Sequence, residues 1–526
     1  MKATDVLVQC LENEGVEYVF GMMGKETLDL VDSLSRSKQI QFVNTRHEQG
    51  AAFMAEVYGR LSRKAGVCLA TLGPGATNLL TGIASATLDF SPVVAFIGQA
   101  GFERQHRESH QYLDLVKIFA PATKWSIQIK DSLTLTEVVH NAFRKAKMEK
   151  PGAVIVELPE NLAAQEINED AITIKPVPTP MSAKDEIIAA IAHINNSQKP
   201  FIIIGNGVIR AEAVTEVQAF IDYLQAPVTY SMKAKGILPK DHPSNYFTFG
   251  FSQQDEVLQG IEKADLLIVI GYDFVERLPK EWNKKKVPVI HINAISAEAD
   301  EYYPLQSELV GDVKRVMQAM IELEIMPKPW EPSGNLREQI KQVYQLNERS
   351  YSSLSITSIL KAIERHTNEN TIVLSDVGSH KISIARTYQP KKPNKVIISN
   401  GLASMGIAIP GAIGAKLACP ADPVICITGD GGALINLAEI ETAVRLGLSF
   451  VMIVLNDSKL KLEEQMMLQK LGNDYGTAFG NPDFVKLAES FGIRGERPTS
   501  MIEFEDMLDK ALAQNECTLI EIKLEG

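Results

Sequence analysis

The stretch Val424-Ile425-Cys426-Ile427-Thr428-Gly429-Asp430-Gly431-Gly432 decides the reading of this chain. Val424–Ile427 is a short apolar run of the kind that forms a buried strand. The glycines then make a turn, and Leu434, Leu437, Ile440 and Val444 predict a helix with one apolar face. Glycines at a strand-to-helix turn let backbone amides approach an anionic group closely. Asp430 inside that turn is out of place beside a lone phosphate. It suits a divalent cation, which takes carboxylate and phosphate oxygens together. Twenty-four residues separate Gly431 from Asn456, and the run Phe450–Leu455 ends just before Asn456-Asp457. In a parallel sheet both strand ends open on one edge, where ligands of α/β folds bind. Asp430 and an oxygen from 456–457 can then share one Mg2+. Alone, Gly-Asp-Gly is only a tight turn; the second strand and the Asn-Asp pair at that spacing point to a metal site.

The same grammar extends through the chain. Val67–Thr71, Val93–Ile97 and Val154–Glu157 read as strands, as do Phe201–Ile204, Leu266–Ile270 and Val287–Ile292. Ile372–Ser375 and Thr518–Ile522 complete the set. Such runs alternating with helical patterns predict parallel α/β sheets. At 526 residues the chain is too long for one core, and about three domains are expected. Two Pro-rich stretches, residues 166–184 and 326–334, read as linkers. They leave units at 1–165, 185–325 and 350–526, with a helical stretch near 335–350 leading into the third.

Composition narrows the function. Hydrophobic residues make up 45% and charged residues 22%, which is ordinary globular usage. The net charge is −12, and Lys284-Lys285-Lys286 is the longest basic run, so no nucleic-acid partner is expected. No run approaches the roughly 20 apolar residues of a spanning helix. Glu12, Glu14 and Glu17 fall where a signal peptide needs an apolar core, so a cytoplasmic protein with no membrane association is expected. The five cysteines are scattered without a CxxC pair, suggesting neither a zinc site nor a disulfide framework.

The metal motif, Gly-Asp-Gly with Asn-Asp about two dozen residues on, resembles that of the thiamine diphosphate enzymes. The resemblance covers the whole chain. It implies three doubly wound parallel-sheet domains: pyrimidine-binding, central Rossmann-like and diphosphate-binding. It makes the Asp430 and Asp457 side chains and the Lys459 carbonyl the Mg2+ ligands. Gly429, Gly431 and Gly432 would cradle the diphosphate. Within Arg46-His47-Glu48-Gln49-Gly50-Ala51-Ala52, Glu48 would be the carboxyl that hydrogen-bonds the cofactor pyrimidine. A lone glutamate there is otherwise a solvated helix N-terminus. Ile40–Val43 reads as the strand before it, and Ala52, Ala55 and Gly59 as a small-residue helix face. The resemblance places Pro74 and Asn78, in Leu72–Asn78, beside the pyrimidine. From Ser399–Gly406 it takes the Ala403 backbone as a pyrimidine contact and Met405 as the wedge that bends the cofactor. Gly24 closes the turn Phe20-Gly21-Met22-Met23-Gly24, which lacks the family's usual proline.

Within the family the chain is closest to the acetolactate synthases, and among these to the catabolic, FAD-independent type. Ser109-His110-Gln111, Gly271-Tyr272-Asp273, Glu281-Trp282-Asn283 and Glu439–Leu446 carry that likeness. The implied reaction decarboxylates pyruvate and joins the remainder to a second 2-oxo acid, giving 2-acetolactate and CO2, in a homodimer or homotetramer. Gln111 would face the reacting centre; His106, His110 and Lys124 are further candidates. Met466 stands where relatives carry Trp or Gln, which leaves the acceptor acid open. Gly205-Asn206-Gly207 has the look of a nucleotide turn, but a GxG alone is weak. The alternatives are another 2-oxo acid decarboxylase or carboligase of the family, or a non-catalytic subunit with this fold. A plain Rossmann dehydrogenase lacks its glycine fingerprint.

Overall fold

In a computed structural model the chain folds into three six-stranded sheets, with every strand pairing parallel. The structure describes all residues except 169, 173–178, 252–254, 333, 347–352 and 525–526. Parts of the expected 166–184 and 326–334 linkers and of the 335–350 helix therefore lie outside the described residues. The helix that is described there is Leu336–Val343.

The first sheet holds β1 (Tyr18–Gly21), β2 (Gln41–Asn44), β3 (Gly66–Ala70), β4 (Val93–Gln99), β5 (Trp125–Gln128) and β6 (Ala153–Pro159). The second holds β7 (Pro200–Ile204), β8 (Val228–Tyr230), β9 (Asn245–Thr248), β10 (Leu266–Ile270), β11 (Val289–Asn293) and β12 (Leu305–Val310). The third holds β13 (Ile372–Ser375), β14 (Val396–Ile398), β15 (Val424–Gly429), β16 (Val451–Asn456), β17 (Arg494–Glu496) and β18 (Thr518–Lys523). The central strands β3, β7, β10 and β13 are buried along their whole length, as strands covered by helices on both faces must be.

The first sheet runs β2-β1-β3-β4-β6-β5 and the third β14-β13-β15-β16-β18-β17, the same order twice. The second runs β12-β11-β10-β7-β8-β9, the doubly wound dinucleotide-fold order. In the outer sheets the last two strands are swapped, and the order reverses between β1 and β3, β7 and β10, and β13 and β15. Crevices at the carboxyl ends of strands lie there.

One core cluster joins the outer domains, including Phe53, Met54 and Val57 from the helix Glu48–Ser62 and Ile409, Ala412 and Ile413 from the helix Ala408–Ala418. Small residues allow this approach. A Cβ at Gly414 would lie 2.4 Å from the Met54 carbonyl oxygen, and one at Gly82 would meet Ala52 Cβ at 2.4 Å. The face expected at Ala52, Ala55 and Gly59 is indeed a packing face.

One helix departs from expectation. The pattern after Gly432 splits into Asp430–Asn436 and Glu439–Arg445. The break rephases the faces: Ala433, Leu437, Ile440 and Ala443 are buried, while Leu434 and Val444 are exposed. Among the described residues no helix is long and apolar enough to cross a membrane.

Candidate active site

Strands β13, β15 and β16 end side by side, and their loops line one cavity. Val377–His380 come from after β13, Gly429–Gly432 from the end of β15, and Asp457 and Lys459 from after β16. Met405 closes one wall; its Cε lies 3.3 Å from a Cβ placed at Gly431.

Asp430 is buried. Its Oδ1 accepts the Gly431 N–H at 2.8 Å, and its Oδ2 accepts the Ser458 N–H and the Asn481 amide, both at 2.7 Å. Asp457 lines the same cavity and accepts the Lys459 N–H at 3.2 Å. Burial, and then the nearby Asp430 carboxylate, pushes the Asp457 carboxyl above its usual range. Two carboxylates gathered this way in a half-enclosed cavity repel each other, which a shared cation relieves. The Lys459 ammonium pairs with Glu464, and Lys459 is one of the residues lining the cavity.

A second cluster gathers around the strand ends of the first sheet. Glu48 opens the helix Glu48–Ser62 and is buried. Its Oε2 accepts the Asn78 amide at 2.9 Å, and its Oε1 lies 3.2 Å from a Cβ placed at Gly75. Pro74 is the first residue of the helix Pro74–Leu88, which carries Asn78. Gly24 packs onto Thr71, so that the turns after β1 and β3 meet at the reversal point. Gln111 has φ +60° and lies over the same turn, its Cβ 2.9 Å from a Cβ placed at Gly73. His106 and His110 are exposed on this loop. Lys124 is elsewhere: its ammonium donates to the Met148 carbonyl, and burial pushes it down to about 8.

Several residues at the cavity carry no sequence motif. Asp376, buried after β13, accepts the Gly406 N–H at 2.8 Å and the Thr428 hydroxyl at 3.0 Å, fixing the loop that bears Ala403 and Met405. Ala403 itself has φ +55°. Asn481 ties Asp430 to Asn456, whose Oδ1 accepts its amide at 3.0 Å. His380 lines the cavity; burial pushes it down to about 4, and its buried Nε2 has no partner. A buried ring nitrogen without a partner marks space for a polar group. The donor set therefore fits a diphosphate held through a hard cation.

Two carboxylates lining one cavity at the strand ends and an orphaned polar atom mark a cofactor-binding α/β protein. Family models agree with that class. Residues 1–118 match the thiamine pyrophosphate enzyme N-terminal TPP binding domain, 187–320 the central domain, and 376–522 the C-terminal TPP binding domain. The acetolactate synthase of Bacillus subtilis is 33% identical over 100% of this chain and 93% of its own length. A probable acetolactate synthase large subunit of Methanocaldococcus jannaschii is 32% identical over 100% and 92%. The isozyme 3 large subunit of Escherichia coli is 29% identical over 100% and 95%. The chain belongs to the thiamine pyrophosphate (thiamine diphosphate) enzyme family, in its acetolactate synthase branch.

Proposed function

We propose that this chain is an acetolactate synthase of the FAD-independent, catabolic type, converting two pyruvates and a proton into 2-acetolactate and CO2. The observation that carries this is the meeting of Asp430 and Asp457 at one cavity beneath Met405 and His380. The full-length likeness to acetolactate synthases supports the substrate.

Asp430, Asp457 and the Lys459 carbonyl hold Mg2+, and the turn Gly429–Gly432 and His380 take the diphosphate. When bound, thiamine diphosphate supplies an acidic carbon and an electron sink for CO2 loss. Glu48 holds a proton against the pyrimidine nitrogen N1′, and Asn78 keeps its carboxyl aimed. Gln111 offers an amide to the 2-oxo acid, and Gly24, Pro74 and Ala403 shape the pyrimidine slot.

Every residue lining the metal cavity lies between 356 and 524, and Glu48 sits in a separate cluster. That separation supports a site completed by a second chain, in a homodimer or a dimer of dimers. Exposed Leu402, Leu434 and Ile435, close to the cavity loops, suit such a contact. Function without FAD draws support from the central domain. There Gly205 is called for by backbone packing, since a Cβ at that position would lie 2.3 Å from the Gly271 carbonyl oxygen. The acidic balance and the short longest basic run weigh against a nucleic-acid partner.

Supplying pyruvate with Mg2+ and thiamine diphosphate, with and without 2-oxobutyrate, tests the proposal. Acetolactate and CO2 formed without added flavin are expected. Acetaldehyde alone, or stoichiometric flavin lost together with activity, would overturn it. Met466 is exposed on the helix Lys461–Leu471, so acceptor preference is read from the 2-oxobutyrate arm.

A further inference from the structure

Glu439 lies in the third domain, nine residues beyond Asp430, and is fully buried. Its Oε1 accepts two main-chain N–H groups of the first domain, Arg46 and His47, each at 3.0 Å. Its Oε2 accepts the Thr442 hydroxyl at 2.7 Å. Arg46 and His47 are the two residues immediately before Glu48. His47 is the N-cap of the helix Glu48–Ser62, its Nδ1 accepting the Gln49 N–H at 3.1 Å.

Main-chain N–H groups at a helix entrance have no partner inside the helix. Here a carboxylate from another domain supplies it, with charge-assisted bonds stronger than neutral ones. The fit is tight: a Cβ at Gly50 would lie 2.5 Å from Glu439 Oε1. Asn436, on the preceding turn, reaches the Gln49 side chain at 3.4 Å and the Gly406 carbonyl at 2.9 Å. The peptide planes that aim the Glu48 side chain are thus held from the third domain, not by their own sheet.

We propose that Glu439 is a positioning residue for Glu48, clamping the Arg46–His47 main chain so that the Glu48 carboxyl meets the cofactor. The proposal rests on the acetolactate synthase reading. A misplacement of about 1 Å can cost on the order of 100-fold in rate.

The test uses the holoenzyme with thiamine diphosphate and Mg2+. It reads hydrogen–deuterium exchange at the cofactor C2 by acid quench and NMR, together with kcat, pyruvate KM and cofactor Kd. In Glu439→Ala, exchange and kcat should fall together by roughly 10–100-fold, with KM and Kd near wild type. Glu439→Gln keeps an oxygen for both N–H groups and should restore exchange. If the alanine chain does not fold, Gly50→Ala, which pushes the carboxylate away, should give the same loss. Exchange at the wild-type rate in a folded, cofactor-loaded Glu439→Ala or Gly50→Ala protein overturns the proposal. Wild-type protein that binds the cofactor without accelerating exchange sinks the functional reading instead.

Discussion

The Lys233 ammonium lies 3.0 Å from the Asp89 carboxylate, and both residues are buried where loops of all three sheets meet. Lys233 also donates to the Asp89 carbonyl at 2.6 Å. The remaining Asp89 capacity is taken by the third domain: Ser399 Oγ at 2.7 Å, and the Asn400 and Gly401 N–H groups at 3.1 Å. One carboxylate therefore joins the end of the helix Pro74–Leu88 to the loop that leads to Ala403 and Met405.

Breaking such a pair strands a buried charge. Lys233→Met should destabilise the protein by about 3–5 kcal/mol and weaken thiamine diphosphate binding through the displaced 399–406 loop. Asp89→Asn combined with Lys233→Met should cost less than the two single changes added together, because neither partner is then left charged. Urea midpoints and cofactor titration check this. Strict additivity would mean the contact does not couple the domains.

Glu48→Gln keeps an oxygen for the Asn78 amide but no titratable proton. Fold and cofactor affinity should persist while turnover falls roughly 10²–10⁴-fold. Near-normal turnover would remove Glu48 from the mechanism.

How much of this was legible follows from what each residue does locally. Leu266–Ile270 and Val424–Ile427 announce buried strands because both faces are covered. The edge strands β5 and β17 are half-exposed and carry no apolar run; pairing with β6 and β18 makes them strands. The repeated strand order of the outer sheets leaves no sequence repeat, since strand pairing sets topology while side chains differ. Asp430 and Asp457 stood out because glycines and two strand ends surround them. Asp376 had a fainter version of that signal, an acid and Gly378 after an apolar strand. Asn481 had none, and Glu439 stood only as the first residue of the family-like run Glu439–Leu446, with nothing to show its role: it acts on residues 392 and 393 positions away in the chain, and only the fold brings them together. Leu434 and Val444 misled because helical phase was carried through a break.

Asp430→Ala and Asp457→Ala should each abolish Mg2+-dependent cofactor binding, since either leaves the cation short of an oxygen and the diphosphate less neutralised. Asn481→Ala should weaken binding less, because Asp430 keeps its two N–H donors. Calorimetry with and without Mg2+ separates these outcomes. Unchanged affinity in either aspartate variant defeats the metal assignment.

Glu157 is buried between two amides, Gln99 at 2.7 Å and Gln128 at 2.9 Å. Burial pushes its carboxyl up to about 7, against the bonds from both amides and with Asp114 adding to the rise. Between the ordinary carboxyl range and 7 the native state holds the extra proton, so its contribution to stability falls as pH rises. The full effect is on the order of 3 kcal/mol. Glu157→Gln should remove that slope, gaining on wild type in urea midpoint from pH 5 to pH 8. Parallel pH profiles for the two proteins would show that Glu157 ionises normally.

The proposed sharing of each site between two chains makes the sharpest prediction. Within one chain, Glu48 stands with Asn78 and Gly75, while Asp430 stands with Asp457 and His380. If two chains complete each site, every site takes Glu48 from one chain and Asp430 from the other. A cofactor buried between two symmetry-related walls is shielded from water on both sides. Glu48→Gln and Asp430→Ala chains, inactive alone, should then complement each other. In a mixed dimer one site receives both lesions, and the other receives wild-type Glu48 and wild-type Asp430. Activity near half of wild type per dimer is expected after co-refolding, with heterodimers isolated by two affinity tags. Were each site built within one chain, every site in the mixed dimer would carry one lesion, and activity would be absent. Inactive verified heterodimers, alongside full recovery of wild-type chains treated the same way, would therefore refute the shared site.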